Sequence, residues 1–353
     1  MELIKGQSSS EVWLAAVEHL DTTPVFDSFW QFAAERQAMY FRRLENPVGP
    51  WTKDPILAAY RFTNAYRAND RVSQYLIREV QYHPDRLATP PEIFFRTILF
   101  KLFNRIETWE ALERQVGPIS WRQTDLDVVC RILDDLKEQG QRIYSAAYIM
   151  PAPALGHVRK HANHLALVSR MMEDRLAENI RQAPTLRVIY ELLRRYPGIG
   201  PFLAFQYTID LNYSELLEHD EGNFVVAGPG ALDGIAKCFV DTGGLSPEEV
   251  IYWVCERQEN AFKTAGLSFQ SLYGRRLQPI DCQNIFCEIS KYARVAYPNV
   301  AGLSGRKRIK QVYRRITKAL PNPTYPPRWH LNVGSIAVAH ADESAHTRIA
   351  PST

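Results

Sequence analysis

Arginine and amide side chains recur in the stretch FTNAYRANDRVSQYLIREV, residues 62–80. On a helix over residues 56–82, Asn64, Arg67 and Arg71 would share one face, because spacings of three and four residues follow the helical repeat. A guanidinium group can donate two parallel hydrogen bonds to a phosphate. The face could therefore bind phosphate, although an ordinary solvent-exposed face would show the same spacing.

Two later stretches carry polar side chains at the same kind of spacing. Gln206 and Asp210 are four residues apart, so on a helix they would reach the same space. Glu288 and Lys291 are three residues apart and would share a face with Asn284. Carboxylates in such positions can accept protons, and cations can stabilise developing negative charge.

The helix that carries the first of these pairs begins at a tight turn, YPGIG, residues 196–200. Gly198 and Gly200 can adopt φ > 0 or lie close to a neighbouring backbone. Pro201 suits the first helical turn. The turn at Gly198, Ile199 and Gly200 would expose backbone N–H groups, which can bind an anion such as a DNA phosphate. An ordinary helical corner is the alternative.

A second basic feature is the stretch GRKRIKQVYRRITK, residues 305–318, which holds seven basic residues and no acidic one. The net charge is only +3, so a nucleic-acid interface must be a local patch. We expect an amphipathic helix here that contacts phosphates, with a solvated basic face as the alternative. The candidate DNA-binding residues of this stretch are Arg306, Lys307, Arg308 and Lys310.

Three histidines could suggest a metal site, because His157, His161 and His164 are spaced by four and three residues. No carboxylate or cysteine accompanies them at matching spacing, so we predict no metal site. The five cysteines contain no Cys-x-x-Cys pair and lack the spacing of an iron–sulfur loop. We therefore predict no cofactor.

The composition of the chain indicates its cellular compartment and whether it is a membrane protein. An odd number of cysteines favours a reducing compartment such as the cytosol. The first 20 residues lack the pattern of a signal peptide, and no apolar run reaches 18 residues. We predict a cytoplasmic protein that is not bound to a membrane.

Helical periodicity without alternating strand patterns predicts an all-α fold. We expect a lead at residues 1–23 and one helical unit at 24–320, followed by a poorly ordered, Pro-rich tail at 321–353. The unit would have two lobes, with residues 24–150 as the N-terminal lobe and residues 151–245 as the helix-hairpin-helix lobe. Residues 246–320 would add C-terminal helices.

Three sets of motifs together resemble a known family. They are FTNAYRANDRVSQYL with LFNRIETWE, PGIGPFLAFQYTIDLNYS with FVVAGPGALDGIAKCF, and CQNIFCEISKYAR. They are similar to the α-glutamyl/putrescinyl thymine pyrophosphorylases, also described as amino acid:DNA transferases. They also resemble the helical domain attached to phage 5-hydroxymethyluracil DNA kinases. The resemblance covers residues 26–318 and implies a helix-hairpin-helix, DNA glycosylase-like fold.

The resemblance implies a reaction on DNA. In this family a kinase places a pyrophosphate on the 5-hydroxymethyl group of uracil, and the transferase replaces that pyrophosphate with an amine. The implied partners are pyrophosphorylated DNA, an amine such as an amino acid or putrescine, and a 5-hydroxymethyluracil DNA kinase. The chain contains no Gly-x-x-x-x-Gly-Lys-Ser/Thr loop, so we do not expect it to be the P-loop kinase itself.

The resemblance also implies roles for the polar residues. A base must keep the incoming amine neutral, and cations must stabilise the leaving pyrophosphate. The predicted catalytic residues are Gln206, Asp210, Glu288 and Lys291, and the predicted pyrophosphate-binding residues are Asn64, Arg67 and Arg71. We expect most of these side chains to face one cavity beside the hairpin.

Two other functions remain open. A non-catalytic DNA-binding partner of the kinase would need a groove and not a cavity. A DNA glycosylase acting on a modified pyrimidine would need an aspartate beyond the hairpin, but Gly228 stands where that residue is expected.

Overall fold

The computed structural model describes residues 20–147, 150–314 and 319–334. Within those ranges the chain forms thirteen α-helices and one antiparallel pair of short strands, in agreement with the predicted all-α class. One hydrophobic core runs from Leu20 to Tyr325. No helix in the described ranges combines the length and the apolarity that a membrane crossing requires.

The first half of the chain starts with strand β1 and contains six helices. Helix α1 shows why they form, because the Thr23 side chain caps its start, Pro24 occupies its first turn and its apolar face is buried. The bounds are β1 Asp21–Thr22, α1 Pro24–Glu45, α2 Pro55–Ala59, α3 Arg71–Tyr75, α4 Pro90–Phe103, α5 Ile106–Val116 and α6 Leu126–Glu138.

The second half contains seven helices and strand β2. The bounds are α7 Lys160–Glu173, α8 Leu176–Arg181, α9 Leu186–Arg194, α10 Pro201–Asn212, α11 Pro229–Cys238, β2 Phe239–Asp241, α12 Pro247–Thr264 and α13 Pro279–Ala296. Asp21 of β1 lies opposite Asp241 of β2, so the start of the described chain is tied to the end of α11.

Helices α9 and α10 pack against each other across the predicted turn. Gly198 has a φ of +80°, a conformation that L side chains rarely adopt. Gly200 has a φ of −76° and caps α10, and Ile199 is buried between the two helices. The predicted helix–turn–helix is therefore confirmed as local structure.

Helices α11 and α13 make the closest approach in the molecule's core. A Cβ atom at Gly234 would overlap the Phe286 carbonyl, and one at Gly230 would overlap the Cys287 sulfur. Only glycine permits these backbones to pack at this distance. The polar face of α13 is thereby fixed relative to α11.

The single helix predicted over residues 56–82 is wrong. Residues 61–64 are irregular, Arg67–Asn69 form a 3₁₀ turn, and α3 continues into a π-helical turn at Leu76–Gln81. Side chains from elsewhere take the backbone donors that a helix would use. The Asp70 carboxylate accepts from the Asn64 N–H at 2.8 Å, and the Asp281 carboxylate accepts from the Arg67 N–H at 2.8 Å.

The basic helix predicted over residues 305–318 is also wrong in its described part, 305–314. Arg61 donates its N–H to the Gln311 carbonyl at 3.0 Å, and Tyr313 donates to the Ala59 carbonyl at 2.9 Å. These bonds hold the segment in an extended conformation beside residues 59–61, with one bridge from Tyr60 to Val312. Residues 315–318 lie outside the described part of the chain.

The tail predicted to be poorly ordered is packed in its described part, 319–334. Tyr325 is buried and donates a hydrogen bond to Asn69 at 2.7 Å. The Trp329 ring stacks on Tyr325, in the short 3₁₀ turn Pro327–Trp329. The prediction is wrong for this part, because the Pro-rich composition gave no indication that Tyr325 and Trp329 would pack against the fold. Residues 335–353 lie outside the described residues.

Candidate functional site

Three stretches that are far apart in sequence meet at Arg67, which is 4% exposed. Its Nη2 lies 2.8 Å from Asp210 Oδ1, and its Nε donates to Gln206 Oε1 at 3.0 Å. Its backbone N–H is held by Asp281 on α13. We refer to Arg67, Lys101, Gln206, Asp210 and Asp281 as the buried charge cluster.

Lys101 brings a second cation to the same carboxylate. Its Nζ lies 3.2 Å from Asp210 Oδ2 and donates to Asn104 Oδ1 at 2.8 Å. Burial lowers the pKa of Lys101, while the Asp210 charge opposes that change. Asp210 has a fully buried side chain and faces two cations, so it holds Arg67 and Lys101 in place. An incoming amine has no path to it in this arrangement.

Asp281 is the second buried carboxyl group of this cluster. Burial raises the pKa of Asp281 to about 6, although the N–H groups of Gln278 and Arg67 and the charge of Arg275 act in the opposite direction. The side chain also completes a capping box at the start of α13.

This shift predicts a pH dependence of stability. Between pH 4 and 6 the unfolded chain has released the Asp281 proton and the folded chain retains it, so this group's contribution to the free energy of unfolding falls as pH rises. A shift of two pH units corresponds to about 3 kcal/mol. Across this window, urea denaturation should show the stability of the unsubstituted protein falling relative to that of Asp281→Asn, in which this proton is absent. Parallel curves from pH 4 to 7 would contradict the assignment.

The other predicted residues lie at the edge of the fold. Glu288 Oε2 accepts the Thr63 N–H at 3.1 Å and pairs with Lys291 Nζ at 2.6 Å. Asn284 donates to Thr63 Oγ1 and to the Asn64 carbonyl, both at 3.0 Å. We refer to Thr63, Asn64, Asn284, Glu288 and Lys291 as the rim cluster. The side chains of Glu288 and Lys291 are 8% and 16% exposed, so this cluster has contact with solvent.

Two residues behind the rim cluster hold the loop in shape. Arg36 donates to Asn64 Oδ1 at 2.7 Å and to the Thr63 carbonyl at 2.8 Å. Asp70 accepts the Asn64 N–H, and burial raises the pKa of Asp70 to about 6. The negative charge of Glu288 raises the pKa of Asp70 and the positive charge of Arg36 lowers it, so a change in the charge of either residue would affect Asp70.

Arg71 does not join either cluster. It begins α3 after the irregular segment and pairs with Glu107 at 3.3 Å, where both side chains are about half exposed. The predicted common face of Asn64, Arg67 and Arg71 does not form, because the chain turns between them. Arg71 is therefore separated from the candidate site.

The shared cavity beside the hairpin stays a prediction. Two cavities in the described part of the chain lie away from these residues. One, of about 320 Å³, is lined by residues of α12 and the following loop, including Gln258, Phe262 and Phe269. The other, of about 260 Å³, lies beside His83 and Arg86. The side chains of the buried charge cluster contact one another and leave the rim cluster as the part open to solvent.

The hairpin approaches α13 from the other side. A Cβ atom at Gly228 would lie 3.0 Å from the Phe202 ring and 3.5 Å from Gln283 Nε2. Gly228 caps the start of α11, just as Gly200 caps α10. A side chain at Gly228, the position at which the aspartate of a glycosylase is expected, would therefore meet the Phe202 ring.

The basic segment, residues 306–310, borders the rim cluster. Its pairing places Gln311 beside Arg61, two residues before Thr63. Arg294, near the end of α13, donates to the Arg308 carbonyl at 3.4 Å. The side chains of Arg306, Lys307, Arg308 and Lys310 are exposed.

The three histidines do not form one metal face. His157 is exposed, whereas His164 is buried with Nδ1 at 2.7 Å from the Tyr144 hydroxyl and Nε2 at 2.9 Å from the Pro151 carbonyl. His161 is buried on a different side and faces α6. Burial lowers the pKa of both His161 and His164 to about 4.

Sequence reasoning missed four residues of the two networks, although each left a signal. Lys101 is a lone cation in the apolar run ILFKLF, Asp70 lies inside the motif RANDR, and Asp281 directly precedes the motif CQNIF in the first turn of α13. Arg36 gave no comparable signal, because it falls among aromatic residues that predict only a packed helix.

Residues 23–302 match a family described as 5-hmdU DNA kinase, helical domain. The 5-hmdU DNA kinase of Bacillus phage SP10 is 24% identical over 287 residues, which are 76% of this chain and 45% of the phage protein. The chain thus spans less than half the length of that relative. No solved structure matches it. The matched range contains both clusters and ends before the basic segment.

Proposed function

This chain belongs to the family of the helical domain of 5-hmdU DNA kinases, and from that premise we propose that it acts on a 5-hydroxymethyluracil-derived base in DNA. The proposed reaction replaces the pyrophosphate of 5-(pyrophosphoryloxymethyl)uracil with an amine, such as an amino acid or putrescine. A glycosylase-like helix-hairpin-helix fold is part of this proposal.

One observation carries the proposal, which is the convergence of three distant stretches on two connected polar networks. Residues 63–70, the hairpin helix α10 and the helix α13 all contribute. Burying charges costs several kcal/mol per ion unless they are paired and hydrogen-bonded. A surface that only attracts DNA needs exposed cations and gains nothing from such a network. The arrangement therefore favours an enzyme over a binding module.

The proposed step is a substitution at the exocyclic methylene carbon. The neutral amine nitrogen forms a bond to that carbon, the carbon–oxygen bond breaks, and pyrophosphate leaves with the bonding electron pair. The amine then transfers a proton to the Glu288 carboxylate. The Thr63 N–H and Lys291 Nζ both contact Oε2 of Glu288, and Oε1 has no hydrogen-bond partner among the described residues.

Cations at the edge of the fold would stabilise the leaving pyrophosphate. Lys291 and the exposed basic segment are the groups placed for it, whereas Arg71 is separated from the site. Asp210 and Gln206, predicted from sequence as catalytic, are assigned a positioning role here, because their contacts are to Arg67 inside the fold. The target base must leave the stack, or the DNA must be single-stranded, to reach this edge.

A non-catalytic DNA-binding subunit is the second candidate, and the nearly complete burial of Arg67 and Asp210 favours it. A simple assay distinguishes the two functions. DNA carrying the pyrophosphorylated base is incubated with the protein, with and without a mixture of amino acids and putrescine. The enzyme proposal expects pyrophosphate release only when an amine is present, and thymine DNA serves as the control. DNA binding without pyrophosphate release would instead support a non-catalytic DNA-binding subunit.

The basic segment gives a testable prediction about DNA affinity. Replacing Arg306, Lys307, Arg308 and Lys310 with alanine should weaken DNA binding for all sequences and flatten its salt dependence. Each lost phosphate contact lowers the log–log slope by about 0.9. Fluorescence anisotropy at several salt concentrations measures both effects. A matched control removes four exposed cations from other helices, namely Arg114, Arg131, Arg170 and Lys263. Equal slopes in the two variants would exclude the segment from the interface.

The hairpin gives a prediction in which stability and binding move in opposite directions. Gly200 offers no side chain to cap α10, and a Cβ atom there would meet nothing within 4 Å. Gly200→Asp should cap the helix and keep or raise its stability. The same carboxylate would occupy a phosphate site, so DNA affinity should fall at least about tenfold. Gly200→Ser, which caps without charge, is the control. Unchanged DNA affinity of Gly200→Asp would remove the hairpin from the interface.

A further inference from the structure

A group of three potential metal ligands lies apart from the two clusters, between α6 and α7. Cys130 and Asp134 are one helical turn apart on α6, and His161 faces them from the first turn of α7. One ligand atom from each residue, a thiol sulfur, a carboxylate oxygen and an imidazole nitrogen, lies within 4.8 Å of the others.

His161 is the unusual member of this group. Its side chain is fully buried, and neither ring nitrogen makes a hydrogen bond to any described residue. Nε2 lies 3.0 Å from Asp134 Oδ1, but the contact lacks the direction of a hydrogen bond. A buried imidazole without a hydrogen bond is costly, and buried polar groups nearly always have a partner. The ring is thus aimed at the other two ligands with its nitrogens uncommitted.

We propose that Cys130, Asp134 and His161 bind a divalent transition-metal ion, with Zn²⁺ as the best fit. Zinc accepts sulfur, nitrogen and oxygen ligands in a tetrahedral arrangement, and three protein ligands leave one position for water. Zinc–ligand bonds of 2.0–2.3 Å place neighbouring ligand atoms roughly 3.5 Å apart. The three atoms already lie within 4.8 Å of one another, so binding an ion requires them to approach by roughly 1 Å. Cys130 and Asp134 are partly exposed, which gives an ion access from solvent.

The charges around the group are consistent with this assignment. Arg159 pairs with the other oxygen of Asp134, an outer contact of the kind that orients a ligating carboxylate. The positive charges of Arg159 and Lys137 act on His161 and disfavour a metal cation beside it. A thiolate and a carboxylate supply two negative charges, which offset them. The spacing of the histidines along the chain did not reveal this site, because Cys130 and Asp134 lie on a different helix from His161.

The test is a metal titration of the full chain after removal of metals with a chelator. Addition of Zn²⁺ should give one bound ion per chain and raise the melting temperature, because the ion joins α6 to α7. Addition of Co²⁺ should give the absorption of a thiolate-bound ion. Cys130→Ser and Asp134→Asn should each lower Zn²⁺ affinity at least about 100-fold. His157→Gln, which removes an exposed histidine nearby, should leave it unchanged.

Two results would overturn the proposal. One is the absence of stoichiometric Zn²⁺ binding by the unsubstituted protein. The other is binding that Asp134→Asn and Cys130→Ser leave intact, which would place the ion elsewhere. Circular dichroism of the metal-free variants establishes that they are folded. If Cys130→Ser does not fold, Asp134→Asn and the cobalt spectrum of the unsubstituted protein still decide the question.

Discussion

Asp210→Asn is expected to destabilise the fold by about 3–5 kcal/mol, because it removes the negative charge that faces both Arg67 and Lys101 inside the fold. Both cations are almost fully buried and lie 2.8 and 3.2 Å from the two carboxylate oxygens. The substitution keeps the size of the side chain, so the loss reflects charge and not a cavity. Urea denaturation at pH 7 measures the change in the free energy of unfolding.

A second variant separates charge from packing. Lys101→Met combined with Asp210→Asn removes one cation and one anion, so the net charge of the buried charge cluster is unchanged. The double variant should be more stable than the sum of the single effects predicts, by about 0.5–3 kcal/mol. Asp85→Asn, on a highly exposed carboxylate, should change stability by less than about 0.5 kcal/mol. A loss below about 1 kcal/mol in Asp210→Asn would mean that the network is open to water.

The second large effect concerns the chemical step. Glu288→Gln should slow amine transfer about 10²–10⁴-fold if Glu288 accepts the proton of the amine. The amide oxygen of glutamine can still accept the Thr63 N–H, so the loop and the DNA affinity should be kept. Single-turnover rates with pyrophosphorylated DNA and excess amine measure the step directly.

The control for this variant is Glu256→Gln, which neutralises an exposed carboxylate on α12 and should leave the rate unchanged. Raising the pH would restore part of the rate of Glu288→Gln, because more of the amine is then neutral without help from the protein. A rate loss below tenfold would argue against Glu288 as the base.

The sequence predicted those features that depend on neighbouring residues. The turn between α9 and α10 follows from the positive φ that glycine permits at Gly198 and from Pro201 in the first turn of α10. Arg67 contacts Gln206 and Asp210, two residues whose spacing of four already placed them on the same side of one helix.

Other features depend on contacts that sequence does not reveal. The segment around Asn64 avoids a helix because Asp281, over 200 residues away, takes the Arg67 N–H. The basic segment is extended because residues 59–61 offer it a backbone partner. The docking of Tyr325 depends on Asn69 and Tyr40, from two other parts of the chain. In each case a distant side chain or backbone decided the local structure.

The measurement that tests the proposed function most directly is mass spectrometry of nucleosides. DNA carrying 5-(pyrophosphoryloxymethyl)uracil is incubated with the protein and a pool of amines, then digested to nucleosides. We predict a new nucleoside in which the amine is joined to the methylene carbon, with the glycosidic bond intact and pyrophosphate released in equal amount. Free modified base together with abasic sites would contradict amine transfer and establish a glycosylase, and unchanged DNA would leave only a binding role.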